Sequence, residues 1–289
     1  MKIAQIKLDE GPHQSRSSVA IFEGEQIRLP SPNSSPTSIL DLIEKKVDVD
    51  QFNRVMSIDE VSFSWLPPIT TPNKIFCIGR NYAEHAKETG ADIPEIPVVF
   101  SKFATALTSH QSKIQLPAIS NEVDFEAELV VVIGKSGRCI SIENAMDHVY
   151  GYCCGNDISA RDWQKGKPGG QWLLGKTFDT FAPLGPTIVS KDAIQAVDQL
   201  NIELLLNGKQ MQNSNTKHLI FPIDVLINHL SKFCTLLPGD LIFTGTPSGV
   251  GAARKPPVFL KPGDELIVRI DGFDDLKNYV VESDSTVHA

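Results

Sequence analysis

The chain has 289 residues, 41% hydrophobic and 21% charged, an ordinary globular composition that excludes wholesale disorder. Its 27 basic and 35 acidic residues give a net charge of −8, which argues against nucleic acid as a partner. No stretch approaches the roughly 20 apolar residues that cross a bilayer, and Met1-Lys2-Ile3-Ala4-Gln5-Ile6-Lys7 lacks the apolar core and cleavage site of a secretory signal, so no membrane role is expected.

The first 30 or so residues alternate apolar and polar positions, and Glu23-Gly24-Glu25 reads as a hairpin turn between short strands. The run from Pro30 to Ser38 is a turn-rich connector. Between Ile39 and Met56, the residues Ile39, Leu40, Leu42, Ile43 and Val47 fit one or two short helices. After Pro67-Pro68 the composition becomes richer in strand formers, which puts a soft boundary near residue 70, with a small N-terminal domain (1–70) before a larger one (71–289). Strands are expected at Lys74–Ile78, Val98–Phe103, Glu128–Ile133, Gly151–Asn156, Ile202–Leu206 and Leu241–Thr244. Pro238-Gly239-Asp240 and Pro262-Gly263-Asp264 have Pro and Gly where a type II turn wants them, each before an apolar strand. Helices are expected at Tyr82–Thr89, at Ile142–His148 after Ser141 as N-cap, and at Ile223–Phe233. The cysteines Cys77, Cys139, Cys153, Cys154 and Cys234 are odd in number and form no C-x-x-C. Reduced, mostly buried thiols in a cytoplasmic compartment are therefore expected.

The segment Glu122-Val123-Asp124-Phe125-Glu126-Ala127-Glu128 runs into the apolar string Leu129–Ile133, as a buried strand would. Glu126 and Glu128 are two apart, so on a strand they leave the same face. Asp157 closes another apolar strand, Tyr150–Asn156. Three carboxylates without a nearby His or Cys describe a site for a hard cation such as Mg²⁺ or Mn²⁺. The same spacing also fits a solvated strand face, and spacing alone does not choose.

Five strings taken together resemble the fumarylacetoacetate hydrolase superfamily. Gly79-Arg80-Asn81-Tyr82-Ala83-Glu84-His85-Ala86-Lys87-Glu88 is similar to its lid helix, and Val123-Asp124-Phe125-Glu126-Ala127-Glu128 to its metal motif. Asn156-Asp157-Ile158-Ser159-Ala160-Arg161-Asp162-Trp163-Gln164 resembles its third-ligand loop. Gly175-Lys176-Thr177-Phe178-Asp179 and Thr244-Gly245-Thr246-Pro247-Ser248-Gly249-Val250-Gly251 complete the set, from about residue 70 to the C-terminus. Within the family, Gly170–Lys176 and Arg254–Leu260 look like the subgroup called domain-containing protein 2. The resemblance implies an α+β, mainly β fold with a mixed β-roll catalytic domain, a smaller N-terminal β-rich domain, and a homodimer.

It also implies roles. Glu126, Glu128 and Asp157 become ligands of Mg²⁺ or Mn²⁺, which matches the hard-oxygen reading. A small 2-oxo acid would be held there through its carboxylate and adjacent carbonyl, stabilising an enolate. His85 and Glu88, three apart on the lid helix, would orient and deprotonate a water. Lys176 would place positive charge at the substrate. Arg161 and Gln164 fall where the family holds substrate, although Arg161 could instead pair with Glu126 or Glu128. Thr246 would hydrogen-bond the substrate carboxylate, with Gly245 letting the backbone approach. The loop lacks the G-x-x-x-x-G-K-[ST] order of a nucleotide-binding turn. The leading expectation is hydrolysis of a carbon–carbon bond in an acylpyruvate-type acid. Enol–keto interconversion or decarboxylation of oxaloacetate at the same metal is the alternative. A non-catalytic metal-binding protein, a dehydrogenase and a cysteine-nucleophile enzyme are disfavoured.

Overall fold

The computed structural model describes residues 1–9, 15–31, 36–45, 47 and 49–283. The central strand, Ala127–Ile133, is buried on both faces, which is why its sequence is a continuous apolar run rather than an alternating one. Leu129, Val131 and Ile133 pack into one core with Ile202, Leu204, Val268 and Ile270 of a second sheet. Val130 and Val132 face the other way, into a core shared with Ile3, Val19, Ile21, Leu241 and Phe243.

This strand lies inside a twelve-stranded mixed sheet. Val149–Asn156 pairs with it antiparallel on one side and Leu241–Phe243 antiparallel on the other. Leu241–Phe243 then runs parallel to Ile75–Gly79, which pairs with Val98–Ser101. A five-stranded sheet, Lys209–Asn215, Asn201–Leu206, Glu265–Ile270, Leu276–Glu282 and Lys113–Leu116, covers the other face. The chain is thus mainly β with mixed sheets, as the sequence led one to expect.

The N-terminal strands continue the main sheet. Lys2–Asp9 hydrogen-bonds to Ala182–Ser190, so the sheet runs across residue 70 although the composition changes there. The hairpin at Glu23-Gly24-Glu25 forms, with Gly24 at φ 62°. Pro32–Ser35 of the expected connector lies outside the described residues. Among the described residues between Ile39 and Met56 only Ile39–Lys45 and the short 3₁₀ turn Val49–Gln51 are helical, and Arg54–Ser57 is a strand at the sheet's end. Its partner Gln26–Leu29 supplies the backbone bonds that override the helical reading of Met56.

Both Pro-Gly-Asp turns put their glycine at positive φ, 81° at Gly239 and 92° at Gly263, as a type II turn requires. The helix Ile223–Phe233 has the expected bounds. The segment after Ser141 is α-helical only to Ala145 and tightens to a 3₁₀ turn over Met146–His148. The Ser141 hydroxyl accepts from the Asn144 side chain at 3.2 Å rather than capping a backbone amide. Among the described residues no helix is long and apolar enough to cross a membrane.

Candidate active site

Strand register builds the acidic cluster. Ala127 pairs with Asn156, so Glu126 and Asp157, one step beyond that pair, face each other across the two strands. The Asp157 amide donates to the Glu126 carbonyl at 2.8 Å, and the Glu126 amide donates to the Asn156 side chain at 2.9 Å. Glu126 itself sits just before the central strand begins, and Glu128 lies within it. The three carboxylates are buried, each offering an oxygen within 4.8 Å of the others. The solvated-face reading of Glu126 and Glu128 is therefore excluded.

Three buried cations answer them. Lys176 donates to Glu126 Oε2 at 2.7 Å and Asp157 Oδ2 at 2.8 Å. Arg161 Nη2 lies 2.6 Å from Glu126 Oε1, and Arg161 Nε donates to Asp124 Oδ2 at 2.9 Å. Lys102 Nζ is 2.6 Å from Asp157 Oδ1 and donates to the carbonyls of Ile158, Lys176 and Phe181. Burial works against the ionised Glu126, but Lys176 and Arg161 outweigh it and hold its carboxyl below the ordinary range. Burial likewise disfavours a charged Lys176, and Asp157 and Glu126 reverse this, raising its ammonium.

Glu128 behaves differently. Burial pushes its carboxyl well above the ordinary range, and the neighbouring charges of Asp157 and Glu126 push it further. The Gly245 amide donating to Oε2 at 2.7 Å offsets little of this. Four buried carboxylates, Asp124 included, thus face three buried cations, and Glu128 is the one left without a cation, so it holds its proton until a cation displaces it. Asp157 Oδ1 is also buried without an aligned hydrogen bond despite the nearby Lys102. An all-oxygen donor set with one carboxyl group more than its cations fits a divalent cation that replaces the proton.

The lid helix spans Ala83–Glu88 and leaves His85 only 6% exposed. His85 Nδ1 is 2.8 Å from Glu88 Oε1, and the other Glu88 oxygen accepts from the Gly249 amide at 2.8 Å. Gly249 is at φ 104°, and a Cβ there would sit 2.2 Å from the Met211 carbonyl, so only glycine brings this amide to Glu88. A small cavity of about 20 Å³, room for roughly one water, is lined by His85, Glu126, Arg161, Gln164, Lys176 and Thr246. Glu88 does not line it and stands behind His85. Larger hollows lie elsewhere on the surface, away from the carboxylates.

The expected residues converge, with two changes of emphasis. Gly245 directs its amide to Glu128 rather than into the cavity. Arg161 is a partner of Glu126 and Asp124, and it also donates to Gln164 Oε1 at 2.9 Å. Thr246 Oγ1 accepts from Gln212 at 2.8 Å, which leaves its own proton free to donate. Lys102, Asp124 and Gln212 were not anticipated. A lysine inside the expected apolar strand Val98–Phe103 was the one signal for Lys102.

A family model described as fumarylacetoacetate (FAA) hydrolase C-terminal matches residues 74–281. The chain belongs to the fumarylacetoacetate hydrolase family. A Xenopus laevis relative named oxaloacetate tautomerase fahd2, mitochondrial, is 50% identical over 236 residues, covering 82% of this chain and 73% of that one. A Dictyostelium discoideum relative, a fumarylacetoacetate hydrolase domain-containing protein 2 homolog, is 45% identical over 92% of this chain and 93% of its own. The solved fumarylacetoacetate hydrolase of Exiguobacterium antarcticum superposes with a TM-score of 0.82 at 31% identity, covering 97% of this chain and 100% of that one. The subgroup is thus domain-containing protein 2, and the chain is a metal-dependent enzyme of this family. The cytoplasmic expectation is corrected, because the relatives from Xenopus laevis, Bos taurus and Homo sapiens are all named mitochondrial. All five cysteines are free.

Proposed function

We propose that this enzyme interconverts the enol and keto forms of oxaloacetate with Mg²⁺ held by Glu126, Glu128 and Asp157. The observation that carries this reading is the 50% identity to a relative named oxaloacetate tautomerase, on a chain that draws the carboxylates Glu126, Glu128 and Asp157 together. It displaces carbon–carbon hydrolysis as the leading reading. When bound, the cation supplies Lewis acidity toward the C1 carboxylate and C2 oxygen of a 2-oxo acid. Everything else is the work of side chains.

Glu88 accepts from His85 Nδ1, which leaves Nε2 as the nitrogen that carries a proton to or from C3. Burial of His85 keeps bulk water from competing for that proton. Lys176, between Glu126 and Asp157, adds fixed positive charge beside the C2 oxygen. Thr246, its hydroxyl oriented by Gln212, donates to the C1 carboxylate. A homodimer is part of the same proposal, tested by sedimentation.

Hydrolysis of an acylpyruvate is the second reading, favoured by a cavity beside His85 with room for about one water. The test follows enol-oxaloacetate and acetylpyruvate in parallel with Mg²⁺-loaded protein. Faster ketonisation with acetylpyruvate intact is the expected result. Release of pyruvate and acetate, with no effect on oxaloacetate, would overturn it.

A further inference from the structure

The inner cations of the site are already engaged. Lys102, Arg161 and Lys176 each contact one or two of the buried carboxylates. Two further cations line or border the same cavity, Arg80 and Lys165, and neither has an acidic partner among the described residues. They come from different elements. Arg80 follows the strand Ile75–Gly79, and Lys165 follows the short helix Arg161–Gln164.

Arg80 is held in place from both sides. Its backbone has φ 57°, a conformation disfavoured for a residue with a Cβ. Its guanidinium lies over the Trp172 ring, 5.7 Å from the centroid. Trp172 in turn meets Phe100 edge-on at 5.3 Å and packs against Gly79, where a Cβ would come within 2.7 Å of the indole. The indole is therefore a fixed platform for the guanidinium. Lys165 is exposed at the mouth. Partial burial of its stem, followed by the charge of Arg161, lowers its ammonium; Glu126 pulls the other way, and Arg80 and Lys176 add to the lowering. The mouth thus carries two cations that form no ion pair with a carboxylate among the described residues.

We infer that Arg80 and Lys165 form a subsite for the distal carboxylate of the substrate, which makes the enzyme selective for dicarboxylic 2-oxo acids. This deepens the tautomerase reading and rests on it for which end of the substrate faces Glu126, Glu128 and Asp157. A four-carbon diacid has one carboxylate for the inner site and one left over. An acylpyruvate with a neutral tail offers these two cations nothing to pair with, and its approach leaves them without a counter-charge. A guanidinium seated on an indole presents its N–H edge for in-plane pairing with a carboxylate, and the lysine adds a mobile second charge.

The test compares two probes that cannot enolise, on the full chain loaded with Mg²⁺. 3,3-Difluoro-oxaloacetate has both carboxylates, whereas oxamate keeps only the inner end. Binding of each is measured calorimetrically to wild type, R80Q, K165Q and the double variant. Each single variant should bind the difluoro diacid about tenfold more weakly and the double variant about 100-fold, with oxamate and Mg²⁺ affinity changed by no more than about twofold. Equal weakening of both probes, or of neither, overturns the subsite. If the variants show this split while wild type leaves oxaloacetate unconverted, the tautomerase reading fails and the subsite stands. An active tautomerase whose double variant keeps both affinities does the reverse.

Discussion

Two arginines in this molecule bind similar partners in opposite settings. Arg269, on the outer sheet, donates through Nε and Nη2 to Asp275 at 2.9 and 2.8 Å and through Nη1 to Glu203 at 2.8 Å, and Gln210 braces Glu203 at 2.6 Å. Arg161 likewise holds two carboxylates, Asp124 and Glu126, and contacts Gln164. The Arg269 side chain is 47% exposed and the Arg161 side chain 7%. In both, the partner carboxylates raise the guanidinium's affinity for its proton, at Arg161 against the opposing effect of burial. Geometry alone therefore does not rank them. What separates them is the water available to replace a lost partner. Removing Arg161 leaves buried Asp124 without its cation and Glu126 with Lys176 alone, and Arg161→Met should cost about 3–5 kcal/mol of stability, measured by urea unfolding of metal-free protein. A loss under 1 kcal/mol would mean that the interior relaxes or admits water freely.

Glu128 is the carboxylate that this inner network leaves uncompensated, so its removal should act with opposite signs on folding and on metal. Glu128→Gln should weaken Mg²⁺ binding by at least about 100-fold, the upper range for losing even a residue that supports a ligand. The metal-free protein should be stabilised at neutral pH by the same change. The folded protein holds the Glu128 proton more tightly than the unfolded chain does. Its contribution to stability is therefore complete below about 4.5 and is lost as pH rises through the elevated folded-state value. Over that window the metal-free wild type should lose stability relative to Glu128→Gln. Parallel pH profiles for the two proteins would contradict the assignment. Binding of Mg²⁺ must expel this proton, so affinity falls in acid.

Much of the inner site was legible in the sequence because its parts are local. Glu126 and Glu128 are two apart on an extended segment, His85 and Glu88 three apart on a helix, and both spacings report a shared face directly. Asp157 was readable as the residue ending an apolar strand. Lys102 was not, because its partners lie far along the chain, Ile158 being 56 residues and Phe181 79 residues away, and only sheet closure brings them together. Arg161 had two readings until Asp124 was placed beside it. The joining of Lys2–Asp9 to Ala182–Ser190 was hidden for the same reason, since backbone pairing between distant strands leaves no mark in composition.

The His85–Glu88 pair lies between the two extremes, since His85 is buried and Glu88 half-buried. Glu88→Gln keeps the shape but replaces the carboxylate that accepts from Nδ1, so the imidazole can settle in the wrong tautomer. A fall of about 100-fold in kcat is expected, with KM and Mg²⁺ affinity little changed. Unchanged turnover would remove the pair from proton transfer, and a rise in KM alone would make it a binding element.

The smallest expected effect is at Arg269, and it decides whether burial is the right variable. Arg269→Met removes three charge-assisted hydrogen bonds, more in number than many buried sites make. Water can solvate Asp275 and Glu203 once the guanidinium is gone, and holding three long side chains in register costs entropy. The net loss should be below about 1 kcal/mol and should shrink further in high salt, where surface charges are screened. Urea unfolding of this variant at low and high NaCl, beside Arg161→Met under the same conditions, separates the two accounts. If the surface network were worth as much as the buried one, Arg269→Met would match Arg161→Met at low salt, and counting bonds would predict stability better than counting the water excluded from them.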